Sequence, residues 1–343
     1  MIPYHIMVKG INLRMFAAWL FLGCFLAVLM LAPAAPALAQ TATPEVAAAA
    51  PAGTPPPEEK KETAPSTGGP MITDTTIPID TGHVSLSVLS ALSFYPGTFN
   101  SNWRTSNIGG NFYTYYMPVK VTYGPAKNVE VYLIAPFISY WGNDVTIPGP
   151  NGNHSASYAG PGDLTLMGKY NLLEEGDIMP AVSVVAGFDT IPLGHASHLN
   201  PNLLGVDAIG TGALTVTTGV NMFKWVKPFL LYSNIWINSP INAFQNNSPN
   251  DVVSRESITF NLAAEYPISA KFVALLEMYS NWTWDNIYTP QGYQTPETYI
   301  GIMPGLEFLA TDKLSFEAGS SLDLAGKNGV KKYTPMISAT YSF

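Results

Sequence analysis

SITFNLAAEY, residues 257–266, reads in twos. Ile258, Phe260, Leu262, Ala264 and Tyr266 share one face, and Thr259, Asn261 and Glu265 share the other. Successive side chains of a strand point to opposite sides, so this is a β-strand with one apolar and one polar face. PISA (267–270) then turns the chain, and a further strand-like run begins at Lys271. The pattern recurs in both directions. In KLSFEAGSSLDL (313–324), Leu314, Phe316, Ala318, Leu322 and Leu324 oppose Ser315, Glu317, Ser321 and Asp323. In GDLTLMGKYNL (162–172), Leu164, Leu166, Tyr170 and Leu172 oppose Asp163, Thr165 and Lys169. The last run, KYTPMISATYSF (332–343), alternates in the same way and finishes on Phe343.

About twelve such runs fill residues 83–343, beginning near residues 83, 111, 128, 162, 178, 208, 225, 254, 271, 297, 313 and 332. Their connections alternate in length. Short turns are expected at GPAK (124–127), EEGD (174–177), FK (223–224), PISA (267–270) and ATD (310–312). Between them lie long polar stretches at 96–110, 141–161, 193–207, 239–253 and 285–296, and a shorter GKNGVK at 326–331. A soluble sandwich has no reason to collect its short turns at one end. A transmembrane barrel does, with short periplasmic turns, long outer loops and an even strand number. Closure also pairs every backbone group where lipid offers no hydrogen bonds. The fold expected is all-β: a transmembrane, antiparallel, up-and-down β-barrel. Its apolar face meets outer-membrane lipid, and Phe343 closes a lipid-facing strand that the barrel-assembly machinery would engage.

The beginning of the chain supports an export route. Lys9 and Arg14 precede MFAAWLFLGCFLAVLMLA (15–32), and Ala37-Leu38-Ala39 supplies a small-residue cleavage site, so residues 1–39 read as a signal peptide. The sole cysteine, Cys24, falls within it, which leaves no cysteine for a disulfide, metal site or nucleophile in the mature chain. Cleavage removes two of 16 basic residues and none of 24 acids, giving a net charge of 14 − 24 = −10. An acidic chain without a basic patch argues against nucleic acid as a partner. Residues 40–82 begin with a Pro/Ala-rich stretch that is almost free of large apolar side chains and reads as a disordered periplasmic linker. Its end, PMITDTTIPIDTG (70–82), carries some apolar residues and could pair with, or plug, the barrel.

Residues 157–194 (SYAGPGDLTLMGKYNLLEEGDIMPAVSVVAGFDTIPLG) and 205–237 resemble the family called "MetA-pathway of phenol degradation". The similar features are Gly-Asp-Leu-Thr-Leu before a Lys-Tyr strand, a short turn, a Thr-Ile-Pro-Leu-Gly corner, and a Gly-Thr-Gly opening of the next strand. The resemblance implies an outer-membrane channel or transporter linked to aromatic catabolism, with a small-molecule permeant and no catalytic residues or cofactor.

By alternation, Lys120, Glu130, Lys169, Asp189, Lys227, Glu265, Glu277, Glu307, Glu317 and Asp323 point into the lumen, seven acids against three bases. Charges must face inward because lipid penalises them, so ion pairing within the lumen is the ordinary expectation. Tyr116, Tyr132, Tyr232 and Trp236 are placed among them and would suit an aromatic permeant. His195-Ala-Ser-His198 lies in a loop without a third ligand at fixed spacing, so no metal site is assigned. No GxSxG occurs, and the histidines fall in loops or at strand starts, so no catalytic residue is assigned. Three functions remain open: a channel for small, aromatic or hydrophobic solutes, a non-conducting structural or adhesive barrel, and, third, an outer-membrane hydrolase.

Overall fold

A computed structural model describes residues 64–241, 254–284, 287–289, 292–294 and 296–343. The signal peptide expected over 1–39 and the linker as far as residue 63 lie outside the described residues.

Twelve antiparallel strands form the wall: β1 (Val84–Phe99), β2 (Asn111–Ala126), β3 (Val129–Asn143), β4 (Leu164–Leu173), β5 (Ala181–Ile191), β6 (Leu214–Val226), β7 (Phe229–Ile241), β8 (Ser257–Pro267), β9 (Phe272–Thr283), β10 (Thr298–Thr311), β11 (Leu314–Lys327) and β12 (Val330–Ser342). Ala156–Pro161 prolongs β4 along the same edge of β3. Each strand pairs with its sequence neighbour, and β12 returns to β1 with Ser87 opposite Thr340 and Ala91 opposite Met336. The barrel is closed, which removes the unpaired edges an open sheet would expose to lipid.

Burial is inverted relative to a water-soluble protein. Leu276, Phe316 and Ile337 are 55%, 44% and 61% exposed, whereas Glu265, Glu277 and Glu307 are 0% exposed. Outward-facing apolar residues and inward-facing charges on the same strands are the signature of a transmembrane barrel. The alternation read in SITFNLAAEY is reproduced, with Leu262 outside and Glu265 buried inside.

Connections alternate in length as the sequence indicates, but several positions differ. The turn expected at GPAK (124–127) lies at Lys127-Asn128, and that expected at ATD (310–312) lies at Asp312-Lys313, because pairing carries the strands on to Ala126 and Thr311. The short turn expected at Phe223-Lys224 lies at Lys227-Pro228, because β6 continues through Phe223, opposite Tyr232, to Val226 opposite Phe229. Proline cannot donate to a ladder and so is suited to the turn rather than the strand. The strand expected from residue 208 begins at Leu214, since the preceding residues belong to a loop held by Asp163. That carboxylate accepts from the backbone N–H of Leu193, Gly194 and Thr211 at 3.1, 2.8 and 2.7 Å. Finally, GKNGVK contracts to a turn at Asn328-Gly329, with Asn328 at φ 55°, a conformation asparagine tolerates better than most residues.

Candidate functional site

The lumen is divided into two halves of different chemistry. In the half nearest the short turns, residues 64–82 are laid inside the barrel. Ala64 packs against the cluster of Ala181, Phe223, Leu230, Tyr232 and Ala263 near the rim. Thr67 Oγ1 then donates to Glu265 Oε2 at 2.7 Å, and the Gly68 N–H donates to Glu307 Oε1 at 2.6 Å. A Cβ on residue 68 would collide with Glu307 Oε1, so glycine is what allows this approach. Three consecutive backbone N–H groups, of Met71, Ile72 and Thr73, converge on Glu277 at 2.8, 3.1 and 2.7 Å. The carboxylates of the wall therefore bind this segment mainly through its backbone.

Beyond Thr73 the partners change. Asp74 exchanges two hydrogen bonds with the Asn234 amide, through its N–H at 2.7 Å and its carbonyl at 2.9 Å. Its carboxylate lies 3.3 Å from Lys169 Nζ and 3.8 Å from Lys120 Nζ, and it accepts from Asn221 Nδ2 at 2.7 Å. Lys169 is also paired with Glu130 at 2.9 Å. The chain then descends: Ser183 Oγ donates to the Thr76 carbonyl at 2.5 Å, and Ile79 N–H donates to Glu130 Oε2 at 2.9 Å. Gly82 N–H meets the Gly124 carbonyl at 2.8 Å, from where β1 departs. Of the two roles open to residues 70–82, occupation of the lumen is the one observed.

The half nearest the long loops has no such filling segment among the described residues and is lined by rings. Tyr95 stacks on Tyr140 at 5.8 Å, and its hydroxyl meets Thr114 Oγ1 at 2.8 Å. Tyr279 lies 6.2 Å from Tyr299 and donates its hydroxyl to Asp323 at 2.9 Å. Trp236 Nε1 donates to Asn221 Oδ1 at 2.8 Å, at the boundary between the halves. A polar belt crosses β6 to β9: Thr217 to Asn238 at 2.7 Å, Asn238 to Thr259 at 3.2 Å, and Thr259 to Asn281 at 3.2 Å.

The inward charges named from sequence separate into groups. Lys120, Glu130, Lys169, Glu265, Glu277 and Glu307 bind the internal segment, and Glu317 accepts from Ser338 at 2.6 Å beside them. Asp189 and Asp323 belong to the other half. Lys227 is a correction: it sits exposed on the rim turn, with its ammonium 4.9 Å from the Trp225 ring, because the turn falls there rather than at Phe223-Lys224. Tyr116, Tyr132, Tyr232 and Trp236 all lie on the inward-facing register, with Tyr232 donating to Glu265 at 3.2 Å. Sequence reading misses Asp74, Asn221, Asn234, Tyr279, Tyr299 and Lys332. Asn221 and Asn234 are accessible to it, since both share a face with Thr217 and Trp236. Asp74 is not, because its position depends on the path of an irregular segment. His195 lies against Tyr158 at 5.3 Å with its Nδ1 3.0 Å from the Asp207 carbonyl. Among the described residues, no three His, Cys, Asp or Glu side chains are placed to hold a metal ion.

A closed twelve-stranded wall, apolar outside and charged within, defines a transmembrane β-barrel of outer-membrane type. No family model and no curated protein matches the chain. Among solved structures the chain is similar to the COG4313 outer membrane channel from Pseudomonas putida F1, at 13% identity and a TM-score of 0.59 over 78% of this chain and 98% of that one. More distant matches are the CymD monoaromatic hydrocarbon channel (10% identity, TM-score 0.40, 77% and 89% covered) and the Ralstonia pickettii toluene transporter TbuX (8%, 0.40, 77% and 90%). At these identities the likeness is one of fold.

Proposed function

We propose that this protein is a bacterial outer-membrane channel that admits small, aromatic or hydrophobic solutes. The observation that carries the reading is the half of the lumen nearest the long loops, whose wall carries the ring pairs Tyr95–Tyr140 and Tyr279–Tyr299. Aromatic faces bind apolar and aromatic solutes, and phenol hydroxyls add a few hydrogen bonds that orient them. The fold shared with an outer-membrane channel supports the same reading. So does the resemblance to the phenol-degradation family, whose membership is part of the proposal. In this reading the short turns and both barrel ends face the periplasm, residues 1–39 direct export, and Phe343 is the contact for barrel assembly. No enzymatic step is assigned.

One observation favours the non-conducting barrel instead. Residues 64–82 make so many hydrogen bonds to the wall that they read equally as a structural filling. Proteoliposomes loaded with purified protein separate the two. Uptake of radiolabelled phenol or toluene above that of empty liposomes is the outcome expected of a channel, and its absence favours the structural barrel.

A further inference from the structure

At the end of the barrel that carries the short turns, the internal segment and the wall enclose a cavity of about 270 Å³. Residues 77–81 of the segment form one side of it. Lys127, in the turn between β2 and β3, forms the other together with Asn171, Glu174, Glu175 and Ala181 from the facing ends of β4 and β5 and the turn between them. The segment is fixed where it borders this space. Glu130 accepts from the Ile79 N–H at 2.9 Å, and the Gly82 N–H reaches the Gly124 carbonyl at 2.8 Å. The walls are thus built by the fold, and a ligand that enters does not have to order them.

The chemistry of the cavity is one-sided. Ile77, Pro78, Ile79 and Ala181 give it an apolar side. Its polar side is rich in acceptors. Asn171 lines the cavity at only 7% exposure, and its amide oxygen has no hydrogen-bond donor among the described residues. A buried acceptor left without a donor is destabilising, so a ligand that supplies the donor is favoured over one that does not. Three acids, Asp80, Glu174 and Glu175, border the same space against one base, Lys127. Glu175 is held by Lys224 at 3.3 Å. Lys127 lies 3.9 Å from Glu174, but the two side chains are 83% and 73% exposed, and an exposed pair holds its members weakly. The carboxylate of Asp80 has no ion pair or hydrogen bond among the described residues. The bases deeper in the lumen, Lys120 and Lys169, are turned to Asp74 and Glu130.

We propose that this cavity is a binding site for a small primary amine with an apolar body. The body lies against Ile77, Pro78 and Ala181, while the ammonium donates to the Asn171 amide oxygen and faces Asp80 and Glu174. A cationic donor suits a lining of acceptors, since a charge-assisted hydrogen bond is stronger than a neutral one. The occupant is small, because the volume falls below the roughly 300–1,000 Å³ of sites for drug-sized ligands.

The site lies away from the half nearest the long loops and does not depend on solute passage, so binding is measured by itself. Isothermal titration of the purified full-length barrel uses four probes: benzylamine has ring and ammonium, benzyl alcohol has the ring with a neutral donor, toluene has the ring alone, and methylamine the ammonium alone. The expected order of affinity is benzylamine, then benzyl alcohol, then toluene, with methylamine about tenfold weaker than benzylamine. Asn171→Leu weakens benzylamine by about tenfold and benzyl alcohol by less, and Asn171→Asp retains benzylamine. Asp80→Asn weakens benzylamine and leaves benzyl alcohol unchanged. Strand content by circular dichroism establishes that each variant is folded, and Asn171→Ala replaces Asn171→Leu if that protein does not assemble. Benzylamine no tighter than toluene, or benzylamine affinity indifferent to the folded Asn171→Leu or Asp80→Asn barrel, overturns the site. Proteoliposomes that take up neither phenol nor toluene overturn the channel reading and leave the site standing.

Discussion

Asp74 and Lys169 meet inside the lumen with 3.3 Å between carboxylate and ammonium, although 95 residues separate them in the chain. The side chain of Lys169 is 0% exposed, and Glu130 completes its surroundings at 2.9 Å. A fully buried base with two carboxylates joins β3, β4 and the internal segment into one electrostatic unit.

Removing the base should therefore cost more than removing either acid. Lys169→Met leaves Glu130 without its cation and Asp74 with only the more exposed Lys120 at 3.8 Å, a change of the kind that destabilises by roughly 3–5 kcal/mol. Asp74→Asn leaves Lys169 paired with Glu130 and keeps the amide contacts of Asn234, so its cost should be smaller. Urea unfolding in lipid vesicles ranks the two variants. An Asp74→Asn barrel less stable than the Lys169→Met barrel contradicts the assignment of Lys169 as the common partner.

Gly68 gives a way to lift the segment without touching the wall. A Cβ there collides with Glu307 Oε1 and approaches Ser315 Oγ at 2.8 Å. Gly68→Val should unseat residues 64–73 while the strands stay paired. The expected signature is unchanged strand content, faster proteolysis within residues 64–82 and higher single-channel conductance. Wild-type protease resistance would place the segment elsewhere.

Glu277 is expected to matter more than its neighbours for the same property. It accepts three backbone N–H bonds from Met71, Ile72 and Thr73. Hydrogen bonds to a charged acceptor contribute about 1.5–3 kcal/mol each, so Glu277→Ala should loosen the segment more than Glu317→Ala, which loses a bond to Ser338. Hydrogen exchange of the three amides tests this, and protection that survives in Glu277→Ala argues against the convergence.

On the outer face, Phe316→Arg and Leu276→Arg should each destabilise the barrel by about 2–4 kcal/mol if they lie near the bilayer midplane. Both side chains are exposed, at 44% and 55%, so in a soluble protein the same changes would cost little. Unfolding free energies in vesicles near the wild-type value would show that this face does not meet lipid.

The wall is legible in the sequence because period-2 alternation is a local property, written into each strand by itself. Leu262 against Glu265 and Phe316 against Glu317 fix inside and outside without knowledge of the partner strand. Turn position is less legible: Phe223-Lys224 reads as a break in an apolar run, but cross-strand pairing carries β6 on to Val226. The internal segment is hardly legible at all. Nothing local marks Asp74 as the partner of Lys169, or Gly68 as the residue lying against Glu307, because those contacts depend on an irregular path inside a closed barrel. The inward acids are visible in the alternation, but their role is not. Alternation leads one to expect ion pairs within the lumen, whereas Glu265, Glu277 and Glu307 are engaged with residues 67–73. Lys332 stands at the start of its alternating run, where a charge reads as a strand boundary and its place in the lining is hidden.

The central claim, a channel for small aromatic or hydrophobic solutes, is tested most directly by uptake of radiolabelled phenol and toluene into proteoliposomes, measured for the full chain and for a variant lacking residues 64–82. The account predicts uptake above empty liposomes by the full chain, and faster uptake when the segment is absent. No uptake by either folded protein would contradict it.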